Sequence, residues 1–332
     1  ISGQIVKKAQ SLDLTDVAIL VPTSKALKLN PEDVLTAMGE GSRLANHQFD
    51  RYKKPKHSTL KQIKLLVTKS VATKYRALAE RVNITCKGTL QARDWINTPA
   101  NDKQPVAFAR HIKRVAQKAG LKVEVKDDQW LKKQGFNTMM AVAQGSNNRP
   151  RLVVLKHQPK KAKKTVVLVG KGVTFDSGGI NIKPTGSIET MKCDMSGAAA
   201  VAAALIVAAQ RKLDVNLIGV LPLVENMPSG TAIRPGDIIK SWAGRSVEIG
   251  NTDAEGRLIL IDAMAWAIKT FNPQITIDMA TLTGACVVAL GEHIAGVFSP
   301  DDGLADSLVL AGEYTHERCW RMPLPEDDKV EL

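Results

Sequence analysis

Thr165-Val166-Val167-Leu168-Val169-Gly170-Lys171-Gly172-Val173-Thr174-Phe175-Asp176-Ser177-Gly178-Gly179 begins as a short apolar, largely β-branched run and continues as a glycine-rich segment. Thr165–Val169 has the length and composition of a buried strand. The glycines after it permit tight turns and close backbone approach, and they surround two charged residues, Lys171 and Asp176. The spacing is neither the G-x-G-x-x-G dinucleotide fingerprint nor a Walker loop, so the segment carries no nucleotide signature.

Outward from this strand the pattern repeats. Lys122–Val125, Arg151–Lys156, Val215–Val220 and Ile275–Asp278 read as further strands. Helices are expected over Pro105–Ala119, over an Ala-rich stretch with Ser196 as N-cap, over Leu258–Lys269 and over Thr283–Leu290. Strands alternating with helices give an α/β fold with a mostly parallel sheet flanked by helices on both faces. Ligands in such sheets bind beyond the carboxyl ends of the strands. The longest apolar stretch, Ala198–Ala209, is shorter than the roughly eighteen residues a membrane span needs, so it reads as a buried helix and no membrane partner is expected.

The first third differs. A strand (Val17–Val21), a helix start at Asn30-Pro31, a basic loop (Arg51–His57) and a helix (Val71–Val82) precede the turn-rich break Asn97-Thr98-Pro99-Ala100-Asn101. The expected division is a small α/β N-terminal domain, 1–93, and a larger domain, 94–332. Of the chain's net charge of +13, residues 1–93 hold 17 basic against 7 acidic groups, and the remainder is near neutral. Such a basic unit is compatible with a solvated face or with nucleic acid, although Phe49, Tyr52, Tyr75 and Trp95 are few aromatics for stacking on single strands. Cys86, Cys193, Cys286 and Cys319 are scattered without a CxxC pair, which favours reduced thiols and a cytoplasmic location. The chain opens on Ile1 and has the look of a fragment or a processed product.

Two more segments place charge where strands should end. Met191-Lys192-Cys193-Asp194-Met195-Ser196-Gly197 leads into the Ala-rich helix, where Asp194 could serve merely as a cap. In Asn251-Thr252-Asp253-Ala254-Glu255-Gly256-Arg257-Leu258, Asp253 and Glu255 fall on one side if the segment is extended. A capped helix with a surface ion pair is the plainer account of it. Together the three segments offer four carboxylates (Asp176, Asp194, Asp253, Glu255) and two lysines (Lys171, Lys183). Four carboxylates can hold two divalent ions such as Mn²⁺ or Zn²⁺ around an acidified water. The six histidines form no HExxH pair, and no G-x-S-x-G elbow occurs.

Asn251–Leu258 resembles the signature octapeptide of the leucyl aminopeptidase (cytosol aminopeptidase) family. The resemblance extends through Val169–Pro184, Met191–Ala200, Glu225–Gly230, Arg234–Asp237 and Ala280–Ala285, covering the chain from about Asn97 to Pro323. It implies a two-metal exopeptidase that releases N-terminal residues, leucine and other apolar ones preferred, from peptides. One ion would use Asp176, Asp253 and Glu255, and the other Lys171, Asp176, Asp194 and Glu255, with Lys171 neutral. The substrate's free α-amine would ligate one ion. Lys183 would stabilise the oxyanion, and Arg257 would hold a bicarbonate acting as general base. Met191, Thr281, Leu282, Thr283 and Gly284 would line the side-chain pocket. A homohexamer is implied. The family continues well past the segment resembling Arg321–Leu324, so the C-terminal end at Leu332 is expected to be truncated. The alternative from another class is a DNA-binding or regulatory protein that uses the basic N-terminal domain.

Overall fold

A computed structural model describes residues 1–22 and 28–327. The chain forms two compact units, Ile1–Thr281 and Leu282–Leu332. Both are mixtures of helix and strand.

The small N-terminal domain pairs β1 (Asp16–Leu20) in parallel with β2 (Gln62–Leu66), beside α1 (Ser2–Ser11) and α2 (Pro31–Ala45). Pro31 occupies the first turn of α2, and Asn30 caps it by accepting a 2.9 Å bond from the Glu32 amide. Its core is slight, centred on Val6, Ala9, Ile19 and Leu60. The single helix expected over Val71–Val82 is two: α3 (Lys69–Lys74) and α4 (Arg76–Asn97). Tyr75 leaves helical geometry (φ −105°, ψ 18°), and its ring packs against the cluster of Leu78, Val82 and Cys86.

Helix α4 passes without interruption through positions 93 and 94. Its first half packs on α2, where a Cβ on Gly39 would touch Val82 at 3.0 Å. Its second half lies on the larger domain, where a Cβ on Gly88 would stand 2.3 Å from Val207. The absence of side chains at these two glycines is what lets one helix press on both.

The larger domain follows with α5 (Pro105–Lys118), β3 (Lys122–Lys126), α6 (Asp128–Gln134), α7 (Asn137–Ala143), β4 (Arg151–His157), β5 (Thr165–Gly170), β6 (Gly172–Asp176), α8 (Ser196–Gln210), β7 (Asn216–Asn226), a short β8–β9 hairpin (Ile238–Lys240, Ser246–Glu248), α9 (Glu255–Phe271) and β10 (Ile275–Met279). The sheet order is β10-β5-β7-β4-β3, with β6 also paired to β7. Only β4 runs against the others. The central strands are buried on both faces, which is why they read as apolar runs without alternation. One face is covered by α5 and α8, and the other by α7 and α9.

Strand β6 was not legible as a strand, because its glycine-rich surroundings resemble a loop. It continues the line of β5 after Lys171 and pairs with β7 through a register shift between Val173 and Asp176. Helix α8, the one described segment that, counted with the 3₁₀ turn before it, is long and apolar enough to cross a bilayer, is mostly buried in the protein. Ser196 does not cap it: Met195 holds the cap position, and the Ser196 hydroxyl donates to the Cys193 carbonyl.

The second unit contains α10 (Ala285–Leu290), and β11 (Ala295–Val297) parallel to β12 (Cys319–Arg321) across α11 (Asp302–Thr315). Helix α10 starts two residues later than expected, with the Thr283 hydroxyl accepting from the Ala285 amide at 3.2 Å. Residues 328–332, at the end expected to be incomplete, lie outside the described residues.

Candidate metal centre

The carboxyl ends of β5, β6, β7 and β10 meet on one edge of the sheet. In register, Met279 stands opposite Gly170, and Asp176 opposite Asn226. The Lys171 amide donates to the Met279 carbonyl at 2.9 Å, and the Lys171 carbonyl accepts from Ala198 at 2.8 Å, so the lysine is pinned between β10 and the start of α8. Glycines make this approach attainable. A Cβ at Gly170 would lie 2.6 Å from Ala198 Cα, and one at Gly197 would lie 1.9 Å from the Met279 carbonyl oxygen.

The Lys171 ammonium lies 2.8 Å from Asp194 Oδ1, 2.8 Å from Glu255 Oε1 and 2.8 Å from the Thr281 carbonyl. Lys183 lies 2.9 Å from Asp176 Oδ2 and 2.6 Å from Asp253 Oδ1. Ligand atoms of Asp176, Asp253 and Glu255 all fall within 4.8 Å of one another. Asp253 and Glu255 converge through a turn that enters α9, of which Glu255 is the first residue, and not along an extended strand. Asp194 is no mere helix cap: its Oδ1 also accepts from the Thr281 hydroxyl at 2.8 Å.

Lys171, Asp176, Asp194 and Glu255 are each no more than 3% exposed. Burial pushes the Asp194 carboxyl up to about 6 and the Glu255 carboxyl up to about 8, the latter with help from the nearby Asp176 and Asp194 charges. Burial pulls the Lys171 ammonium down, but Glu255 and Asp194 outweigh it and the net direction is upward. Asp194 Oδ2 and Glu255 Oε2 are buried without any hydrogen-bond partner among the described residues. Buried carboxylate oxygens left so are costly unless a cation takes them up. The residues present therefore fit divalent metal.

Several supporting residues escaped the sequence reading. Asn226, at the end of β7, donates to Asp176 Oδ1 at 2.8 Å and to the Thr252 carbonyl at 3.1 Å. Thr252 is fully buried and exchanges hydrogen bonds with Asn181 and the Gly178 carbonyl, which ties the loop bearing Asp253 to the loop bearing Lys183. A polar residue closing a long apolar strand was the available signal for Asn226; nothing comparable marked Thr252.

Of the other expected site residues, Arg257 is exposed on the first turn of α9, and no ion pair to it is found among the described residues. Met191 is half-buried in the 3₁₀ turn Ile188–Cys193, three residues before Asp194. Thr281 touches the cluster through both its carbonyl and its hydroxyl. Leu282, Thr283 and Gly284 belong to the second unit, where they lead into α10. The described histidines contribute no atom to the carboxylate cluster.

Comparison with known proteins adds an independent line. Residues 90–332 match the model of the cytosol aminopeptidase family, catalytic domain, and residues 1–56 match that family's N-terminal domain. The probable cytosol aminopeptidase of Streptomyces avermitilis is 47% identical over 295 residues, covering 87% of this chain and 57% of that protein. That of Brucella melitensis is 48% identical over 300 residues, covering 87% and 61%. The chain thus spans about three-fifths of the length of these curated relatives. Among solved structures, the bottromycin maturation enzyme BotP in complex with Mn superposes with a TM-score of 0.91 at 35% identity, over 100% of this chain and 70% of that one.

Proposed function

This chain belongs to the cytosol aminopeptidase family, and from that premise we propose that it is the greater part of a metal-dependent exopeptidase that removes N-terminal residues, leucine and other apolar ones preferred, from peptides. The observation that carries the reading is the convergence of Asp176, Asp253 and Glu255 within 4.8 Å, beside buried carboxylate oxygens that have no hydrogen-bond partner among the described residues.

In this reading Asp176, Asp253 and Glu255 hold one divalent ion, and Lys171, Asp176, Asp194 and Glu255 hold the other, Mn²⁺ or Zn²⁺ in each case. Bound there, divalent ions would supply an acidified water, a ligand position for the substrate's α-amine and polarisation of the scissile carbonyl. Lys171 can join as a ligand only when neutral, which two adjacent cations favour. Lys183, charged, donates to the oxygen that becomes an oxyanion, a role suited to an ammonium already directed at the carboxylate cluster. Asp176, which would serve both ions, is held in place by the Asn226 amide and the Gly178 N–H, both donating to its Oδ1. Arg257, exposed and without an ion-pair partner among the described residues, is the residue to hold bicarbonate as general base. Met191 and Thr281–Gly284 are assigned to the side-chain pocket. A homohexamer in the cytoplasm, and a division of the chain at residues 93 and 94, complete the reading.

The test is leucine release from a short peptide with a free or an acetylated N-terminus, with Mn²⁺ or with a chelator. Metal-dependent release from the free peptide alone is expected. No release under any metal from folded protein overturns the reading.

Duplex DNA binding by the N-terminal domain is a second reading, favoured by the cleft that Lys7, Lys53, Lys54, Lys56 and His57 line. Affinity that drops steeply between low and moderate salt is its signature, and a flat response removes it.

A further inference from the structure

Lys103 is 3% exposed, an unusual place for a lysine, and it takes no part in the carboxylate cluster. Its ammonium donates to the carbonyls of Trp95 and Ile96, both at 2.8 Å, and lies 3.3 Å from the sulfur of Met195. An ammonium has three protons, and here each has an acceptor. Trp95 and Ile96 belong to the last turn of α4, whose carbonyls have no partner within the helix. The neighbouring carbonyls of that turn are also taken: Asp94 O by the Thr98 amide and hydroxyl, and Asn97 O by Lys192 Nζ at 3.3 Å. Two lysines thus close the negative end of one helix.

Both lysines connect the helix end to one short segment: Lys103 reaches across to it, and Lys192 reaches out of it. Lys192 lies two residues before Asp194, and Met195, fully buried, lies directly after it. Among the described residues Asp194 itself makes no hydrogen bond to α4. Its backbone amide bonds only to Met191 O, at 3.3 Å, within the same 3₁₀ turn. The turn packs on β6 as well as on α4, and Lys171 and the Thr281 hydroxyl hold Asp194 Oδ1; the polar connection between Met191–Met195 and the end of α4 is made by Lys103 and Lys192.

We propose that Lys103, assisted by Lys192, is a positioning residue for Asp194: by tying Met191–Met195 to the carbonyl end of α4 it sets where the Asp194 carboxylate meets its metal ion. The proposal rests on the metal reading above. It predicts a site-selective effect, because Asp194 is assigned to one ion and not to the other. Deleting the ammonium weakens only that ion, whereas general loosening of the core weakens both. Losing a group that orients a metal ligand typically costs 10–100-fold in affinity.

The experiment is Mn²⁺ titration of the whole chain, followed by calorimetry and by the EPR signal of bound Mn²⁺, for wild type, Lys103→Met, Lys103→Arg and Lys192→Met. Wild type is expected to bind two ions. Lys103→Met is expected to bind one of them at wild-type affinity and the other about 10–100-fold more weakly. Lys103→Arg restores most of the loss, and Lys192→Met weakens the same ion several-fold. Equal weakening of both ions, or none, in Lys103→Met overturns the proposal while leaving the metal reading intact. Fewer than two ions in wild type defeats the metal reading and this proposal with it. Should Lys103→Met fail to fold by circular dichroism, Lys192→Met decides: unchanged binding of both ions overturns the assignment.

Discussion

Gly256 lies flush against the stem of Lys171: a Cβ there would stand 2.7 Å from Lys171 Cε and 2.9 Å from its Nζ. The first turn of α9 therefore forms one wall of the channel that holds the lysine.

Gly256→Ala should accordingly displace Lys171 from Asp194 and Glu255. Alanine favours a helix by about 1 kcal/mol over glycine, so the fold should persist while the site is spoiled. Metal content after dialysis is expected to fall at least about tenfold in affinity, with little change in far-UV circular dichroism. Retention of wild-type metal content would count against the packing account.

The raised carboxyls set a pH dependence. Asp194 and Glu255 bind their protons more tightly in the metal-free fold than in the unfolded chain. Their contribution to metal-free stability is therefore fully present below their ordinary pKa values, and it is lost as pH rises through about 6 and about 8. Metal binding requires the same groups ionised and is strengthened by that rise. The difference in Tm between metal-loaded and chelator-treated protein should widen from pH 5 to pH 8.5; a constant difference would contradict it.

Lys183→Met removes a positive charge beside Asp176 and Asp253. Metal affinity is expected to hold or rise, while kcat falls about 10²–10³-fold, the usual effect of losing an oxyanion donor. Parallel loss of metal would instead make Lys183 a structural counter-ion.

Asp262 is buried and receives the amides of Thr138 and Met139 on one oxygen and of Trp242 on the other. Its carboxylate caps α7 from a distant helix. Asp262→Ala strands these buried donors and should cost about 3 kcal/mol in urea unfolding, with turnover per folded molecule unchanged.

Gly197→Ala is the severe case. Its Cβ would lie 1.9 Å from the Met279 carbonyl oxygen, a backbone atom with little freedom to retreat. A loss of about 3 kcal/mol or more, or no soluble protein, is expected; a wild-type Tm would show that β10 and α8 can separate without cost.

Much of this was legible before the structure. Strands such as Arg151–His157 and Thr165–Gly170 declare themselves because burial on both faces demands unbroken apolar runs. The four carboxylates and two lysines of the candidate site could be picked out because their segments stand where strands end, whereas the roles given to them and to Arg257 came from the family resemblance. What stayed hidden depends on partners far apart in sequence. Thr252 matters through Asn181 and Gly178, and Lys103 through Trp95 and Met195. Strand β6 exists because β7 is long enough to pair beyond the end of β5. The reversed direction of β4 leaves no trace in its composition, since a strand buried on both faces looks the same either way.

Helix α4 has a mechanical corollary. At about 1.5 Å and about 100° per residue, it is a rigid spindle that fixes both the reach and the azimuth of the N-terminal domain over the central sheet. Adding or deleting one residue between Arg76 and Asn97 would swing everything upstream by more than a quarter turn. Insertions and deletions in the N-terminal domain should therefore be tolerated in its surface loops and rejected within the spindle.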